Sequence, residues 1–149
     1  MITIATAAAL LASYDCQLDP PRALMLDGPS VTASELGLPA DTMQFSVEIE
    51  EGDPITANVK WPKDPMQIGG RFPTIETAPG AYAFSAYSSG PCLLTEKSCI
   101  SQVSLVEIEK DIARVVITPV ALTKNEAAGT RSPFAVIAIG QCRKSEPKS

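Results

Sequence analysis

The sequence contains no histidine, and this absence removes the commonest general base and a frequent metal ligand from the chain. Serine or cysteine nucleophiles that are activated by histidine are therefore excluded. The sequence also has no glycine-rich phosphate loop, no G-x-S-x-G elbow and no dinucleotide-binding fingerprint. A pair of carboxylates acting as a small hydrolase stays open, because glycoside hydrolysis needs only two acids. We predict no catalytic residue, no metal and no cofactor.

Basic residues are scarce as well. The chain has 12 Lys and Arg against 17 Asp and Glu, a net charge of -5, and no basic residue between Arg22 and Lys60. Nucleic-acid binding needs clustered Lys and Arg, so we expect no nucleic-acid partner.

Long apolar runs are also missing. The uncharged segment Ile2–Ser13 would span only about 18 Å as a helix, too little for a hydrocarbon core of about 30 Å. Its length and its Ala and Leu content are typical of the apolar part of a secretory signal. The alternative is a first strand or a short buried helix. We predict a signal segment over residues 1–13, one β-domain over 14–142, a polar flexible tail over 143–149, and no transmembrane span.

The pattern that remains is that of strands. Thirteen prolines and nine glycines interrupt a chain of 149 residues, which favours short strands over long helices. Phe45, Val47 and Ile49 alternate with polar residues, and the turn-rich Glu51–Pro54 separates them from a second alternating segment. The sequence predicts an all-β fold, either an antiparallel β-sandwich or a small β-barrel of about eight short strands.

The stretch from residue 80 to 142 holds most of the apolar sequence. In its first strand Tyr82, Phe84 and Ala86 share one face, and the small residues opposite them predict that both faces are covered. From residue 100 to 109 the alternation changes phase at Leu105–Val106, which predicts either a β-bulge there or a strand buried on both faces.

Four cysteines permit three pairings, and spacing alone does not choose among them. We predict Cys92–Cys99, which closes a local loop, and Cys16–Cys142, which joins the ends of the domain. Loop entropy suggests about 2.5 kcal/mol for the short bridge and about 5 kcal/mol for the long one. A zinc site is disfavoured because histidine and close cysteine pairs are absent. Two disulfides and a signal-like start predict export to the periplasm or the extracellular space.

Two segments are candidates for a binding surface. The first is the irregular segment Pro62–Pro79, around which an arginine clusters with apolar side chains: Trp61, Met66, Arg71 and Phe72. The alternative is that Trp61 and Phe72 cap one end of the core.

The second candidate is the loop between Cys92 and Cys99, whose exposed residues would include Leu93, Leu94 and Lys97. A bridged loop is rigid and loses little entropy on binding. The alternative is that the bridge only holds a long connection between strands.

These observations predict an exported, non-catalytic β-domain that acts by binding or by structural support in the cell envelope. Its partner would be an unknown protein or small molecule. The alternatives are the carboxylate-dependent hydrolase and a protease-inhibitor-like protein that presents the 92–99 loop.

Overall fold

The computed structural model describes residues 9–27, 30–35, 37–88, 99–125 and 130–145. Within these ranges the chain forms ten strands and one 3₁₀ turn. In chain order they are β1 (Leu10–Leu18), β2 (Arg22–Asp27), β3 (Ser30–Glu35), the 3₁₀ turn (Ala40–Met43), β4 (Gln44–Glu50), β5 (Thr56–Lys60), β6 (Gly70–Ala78), β7 (Ala81–Ser88), β8 (Cys99–Glu109), β9 (Ile112–Asn125) and β10 (Thr130–Ser145). No helix in the described ranges has the length and apolar character needed to cross a membrane.

Eight of these strands close into an antiparallel barrel. Their order is β1-β4-β5-β6-β7-β8-β9-β10, and pairing of β1 with β10 completes the ring. The other two strands, β2 and β3, form a hairpin that pairs with the first half of β10. Closure satisfies the backbone hydrogen bonds that an open sheet leaves unpaired at its edges. The all-β prediction is confirmed, and of the two predicted architectures the chain adopts the barrel.

The hairpin of β4 and β5 is the clearest match between pattern and fold. Val47 lies opposite Val59, and Ile49 lies opposite Ala57. All four side chains are buried in the barrel. Because successive strand residues point to opposite faces, alternation in the sequence places this set inside. The predicted hairpin is confirmed.

The prediction of an irregular connection over residues 62–79 is wrong in its second half, where Gly70–Ala78 forms β6. The proline within this strand, Pro73, lies opposite Thr56 in the last pair between β5 and β6. Proline has no backbone N–H, so this end position lets it enter a strand at little cost. Because Gly70 and Pro73 are residue types that usually interrupt strands, the sequence pattern did not predict this strand.

Strand β7 is covered on one face only. Tyr82, Phe84 and Ala86 point inward and are buried, as predicted. On the opposite face Tyr87 is 59% exposed. The prediction that both faces are covered is therefore wrong for the second half of the strand, where Ser85 and Tyr87 lie at the surface.

The change in apolar alternation along β8 also arises from residues that lie at the surface. Val103 and Leu105 are buried, whereas Val106 is 43% exposed. The register shift lies between Glu107 and Glu109, beyond the Leu105–Val106 step at which the sequence suggested it. The apolar residues after Leu105 thus continue the alternation on the outer face.

Both ends of the predicted domain extend further than the sequence suggested. Residues 10–13 belong to β1, where Ala12 is buried, and residues 143–145 complete β10, where Ser145 pairs with Ser13. Export stays a prediction. A processing site that leaves β1 intact would have to precede Leu10.

The predicted Cys16–Cys142 bond is present and joins β1 to β10, with 4.0 Å between the two Cα atoms. The two residues lie directly opposite each other at the strand pair that closes the barrel. Cys92 lies outside the described residues, so the Cys92–Cys99 bond stays a prediction.

Candidate functional site

Two residues of the first predicted binding surface lie in the core. Trp61 is 7% exposed and Met66 is 1% exposed. The Trp61 ring stacks on Phe45 with 4.5 Å between centroids, and its Nε1 donates a hydrogen bond to the carbonyl oxygen of Thr42. In this arrangement neither side chain offers surface to a partner; both help to close one end of the barrel.

The other two residues of that surface differ from each other. Phe72 is half-buried and stacks on Phe84 with 5.9 Å between centroids. Arg71 is exposed, and its Nη2 lies 3.4 Å from Oε1 of Glu50. Arg71 is therefore the member of this set that faces solvent.

The second predicted surface, with Leu93, Leu94 and Lys97, lies outside the described residues. Its flanking residues, Ser88 and Cys99, pair with each other. Gly70 begins β6 after the 62–69 connection, and antiparallel order places Gly70 and Ser88 at the same end of the barrel. The two segments singled out from the sequence are thus attached to one barrel end.

A different site is visible on the outer wall. A groove of about 610 Å³ crosses β10, β1, β4 and β5, and we call it the seam groove because it lies over the closing strand pair. Seven of its ten lining residues are of polar or charged type, and the lining comprises Asp15, Cys16, Gln17, Gln44, Phe45, Ser46, Lys60, Pro62, Gln141 and Arg143. This volume is in the range of small-molecule sites.

The polar side chains of the seam groove form two rows across the strands. Register pairs define the first row as Gln141, Gln17 and Gln44. The second row is Arg143, Asp15, Ser46 and Lys60. Neighbouring members of a row are separated by one strand spacing of about 4.8 Å. Donors and acceptors therefore recur at intervals along two parallel lines.

The disulfide holds the centre of this grid. Cys16 points inward between the outward residues Asp15 and Gln17, and Cys142 does the same between Gln141 and Arg143. The bond therefore prevents β1 and β10 from sliding or separating where four groove residues are attached. The backbone of a site held in place in this way loses little conformational entropy when it binds a ligand.

Charges in the seam groove are only partly paired. Lys60 Nζ lies 2.9 Å from Oε1 of Glu48. Asp15 and Arg143 face each other in register, yet among the described residues neither has an ion-pair partner within 4 Å. A guanidinium can bind a carboxylate through two parallel hydrogen bonds, and Asp15 can accept hydrogen bonds from hydroxyl groups.

Tyr14, Glu107 and Lys144 form a second polar cluster, in which Tyr14 is buried while Glu107 and Lys144 are partly exposed. Tyr14 Oη donates to Glu107 Oε1 at 2.5 Å, and Lys144 Nζ donates to the same oxygen at 2.9 Å. Burial, followed by the bond to Glu107, raises the pKa of Tyr14 far above its usual range. The bond from Tyr14 lowers the pKa of Glu107, and the bond to Glu107 raises the pKa of Lys144.

These shifts keep Tyr14 neutral and the ion pair charged, so the cluster is held in one protonation state near neutral pH. A general acid or base must instead exchange a proton with its surroundings. The contacts therefore describe a satisfied structural network.

The hydrolase alternative gains no second acid in the seam groove, because among the described residues Asp15 is the one carboxylate in its lining. Glycoside hydrolysis uses two carboxyl groups across one bond. The arrangement suits binding better than hydrolysis.

Sequence reasoning missed Asp15, Gln17, Gln141 and Arg143. A signal for them was nevertheless present, because they flank the two cysteines that were predicted to pair. If two cysteines face inward across a strand pair, their neighbours must meet on the outer face. To locate the groove from the sequence, one would have needed this inference and also the knowledge that β4 lies beside β1.

Comparison with models of known protein families gave no match, and a search of curated proteins gave none either.

Proposed function

We propose that the protein is an exported, non-catalytic binding domain that holds an oxygen-rich, carboxylated small ligand, such as an acidic oligosaccharide, in the seam groove. The observation that carries this proposal is the position of the Cys16–Cys142 bond directly behind Asp15, Gln17, Gln141 and Arg143. It is the one covalent crosslink among the described residues, and it holds the strand pair that bears the groove.

The lining favours this ligand class on chemical grounds. Arg143 and Lys60 supply cations for a carboxylate, while the three glutamines, Ser46 and Asp15 offer donors and acceptors for hydroxyls. A net charge of -5 disfavours long polyanions such as nucleic acid as partners, whereas a short acidic ligand needs only the local cations of the groove. Export is supported by the disulfide, which persists in oxidising compartments.

Isothermal titration with a uronic acid trisaccharide and its methyl-esterified form tests the binding proposal. We expect the free acid to bind at least about tenfold more tightly than the ester. Arg143→Gln should remove that preference, because a charged hydrogen bond contributes roughly 1.5–3 kcal/mol. Lys110→Gln, which removes a cation from the exposed β8–β9 turn, is the matched control and should bind as the unaltered protein does.

Equal binding of acid and ester would overturn the assignment of a carboxylated ligand. Absence of binding by either form at millimolar concentration would also overturn it. Export has a separate test, the intact mass of the protein recovered from outside the cytoplasm, with and without thiol alkylation. Recovery of the protein from the cytoplasm alone, with free thiols and with residues 1–13 retained, would contradict export.

A further inference from the structure

A second recess lies beside the seam groove, at the point where β1 passes into β2. Its volume is about 520 Å³, and we call it the bulge hollow. It shares no lining residue with the seam groove, so it is a separate feature of the surface. Its lining has an apolar part and a charged part and comprises Ile137, Ile139, Pro20, Asp19, Arg22 and Glu35.

Two consecutive prolines account for the bulge hollow. The N–H of Asp19 donates to the carbonyl oxygen of Ile139 at 2.8 Å, and Arg22 pairs with Ile137. The two prolines between Asp19 and Arg22 therefore lie opposite one residue of β10. Proline has no N–H to donate, and an extra residue bends the strand that carries it, so the hydrogen-bond ladder opens here.

The bulge hollow continues the seam groove along the strands. Gln141 and Gln17 line the groove, and the next outward residues toward the hollow are Ile139 on β10 and Asp19 on β1. Arg143, at the far side of the groove, is four residues from Ile139, or about 13 Å along the strand. Because this path follows the same strands, the curvature of the barrel does not separate the two recesses. One ligand of a few sugar rings can contact both.

Two isoleucines of β10 form the floor of the bulge hollow. Ile139 is 44% exposed and Ile137 is half-buried, and both point outward. They are two residues apart, so they form an apolar strip of about 7 Å. A short alkyl chain that covers this strip removes apolar surface of both partners from water, which the hydroxyl groups of a sugar cannot do.

Three charged side chains stand at the rim of the bulge hollow. Arg22 lies opposite Glu35 in the β2–β3 pair, and Asp19 precedes the prolines. Among the described residues none of the three has an ion-pair partner within 4 Å. Two acids against one base disfavour a carboxylate at this rim.

An amide group suits this rim in both of its parts. Its N–H can donate to a carboxylate of Asp19 or Glu35, and its carbonyl oxygen can accept from the Arg22 guanidinium. An ammonium group would interact with the acids alone and would leave the two isoleucines uncovered. An amide that carries an alkyl chain matches the rim and the floor together.

We propose that the bulge hollow binds the N-acyl group of an acylated amino sugar that belongs to the same ligand as the carboxylate in the seam groove. The amide lies at the rim, and the acyl chain covers Ile137 and Ile139. This role of the hollow depends on the proposed function, since the seam groove holds the rest of the ligand. The ligand class is thereby narrowed to an oligosaccharide with both a uronic acid and an N-acylated amino sugar.

Isothermal titration with three forms of one trisaccharide tests this role. The trisaccharide has two uronic acid residues and a terminal amino sugar, whose nitrogen is a free amine, N-acetylated or N-hexanoylated. We expect the N-hexanoyl form to bind at least about tenfold more tightly than the N-acetyl form, because four further CH₂ groups are partly buried. The free amine should bind most weakly of the three.

Substitution of the floor locates the effect. Ile139→Ser should reduce the affinity ratio of the N-hexanoyl to the N-acetyl form to about two or less, because it removes half of the apolar strip. Ile75→Ser changes an exposed isoleucine of β6 that lines neither recess, so it is the matched control and should keep the full ratio. Arg143→Gln should abolish the preference for the acid over its ester and leave the acyl-length ratio intact.

Equal binding of the N-acetyl and N-hexanoyl forms overturns the assignment, and so does tightest binding of the free amine. Equal loss of the ratio in Ile139→Ser and Ile75→Ser also overturns it, because the chain would then contact exposed apolar surface at large. If the ratio persists while acid and ester bind equally, the role of the hollow is supported and the carboxylate assignment of the seam groove fails. Absence of binding by every form at millimolar concentration overturns both.

Discussion

Removing the Cys16–Cys142 bond should destabilise the protein more than the loss of any single hydrogen bond or ion pair in the barrel. The bond spans 126 residues, so it excludes a large set of open conformations from the unfolded chain. Loop entropy gives about 5 kcal/mol for a separation of this size. Small domains have a total stability of roughly 5–15 kcal/mol, so Cys16→Ala with Cys142→Ala should remove a third or more of it.

Urea unfolding followed by tryptophan fluorescence measures this loss. Trp61 is the single tryptophan of the chain and is stacked on Phe45 in the core, so its emission reports global unfolding. With a denaturant slope of about 2 kcal/mol per molar, a loss of about 5 kcal/mol lowers the midpoint by roughly 2.5 M. Affinity for the trisaccharide should fall in the same variant at low urea, since the groove strands lose their covalent link.

The matched control changes two residues of the same strand pair without breaking a covalent bond. Ser13 and Ser145 lie opposite each other, and Ser145 Oγ donates to Ser13 Oγ at 3.2 Å. Replacing both by Ala should cost about 1 kcal/mol or less. If the double cysteine variant lost no more than this control, the backbone ladder alone would hold the closing pair. The rigidity argued for the seam groove would then be refuted.

Two further predictions concern packing and pH. At Gly140 an added Cβ would lie 2.9 Å from the Leu18 Cα, so Gly140→Ala should cost about 1–3 kcal/mol in the urea assay. Gly37→Ala, with open space around its Cβ, should be near neutral, and equal effects would contradict the contact argument. The lowered pKa of Glu107 contributes stability above the usual glutamate pKa, which is lost as pH falls through the lowered value. The raised pKa of Lys144 contributes stability below the usual lysine pKa, which is lost as pH rises through the raised value. Glu107→Gln should flatten both limbs of a plot of urea midpoint against pH, and an unchanged plot would contradict the assignment.

The local sequence pattern was sufficient to predict a strand where one of its faces is exposed to solvent and the other is buried. The alternation at Phe45, Val47 and Ile49 predicted both the strand and its buried side, because burial on one face imposes a period of two. It failed at β6, where Gly70 and Pro73 interrupt the pattern of a strand that is held by neighbours on both sides. There the backbone hydrogen bonds to β5 and β7 outweighed the low strand propensity of glycine and proline.

The candidate site shows the same division between local and long-range information. Asp15 and Arg143 are 128 positions apart, and neither has a neighbour in sequence that suggests binding. The Cys16–Cys142 pairing predicted from the chain implied that they meet, but not that Gln44, Ser46 and Lys60 would complete the groove. That set depends on which strand lies beside β1.

The sequence by itself determined the strand-rich class and the absence of histidine chemistry, since each follows from composition or short-range periodicity. Tertiary structure alone decided that the sheet closes, that Trp61 lies inside and that Val116 and Ile139 lie outside. Strand order and register set these outcomes through long-range hydrogen bonds. A residue's own neighbours carry almost no information about which strand will lie beside it.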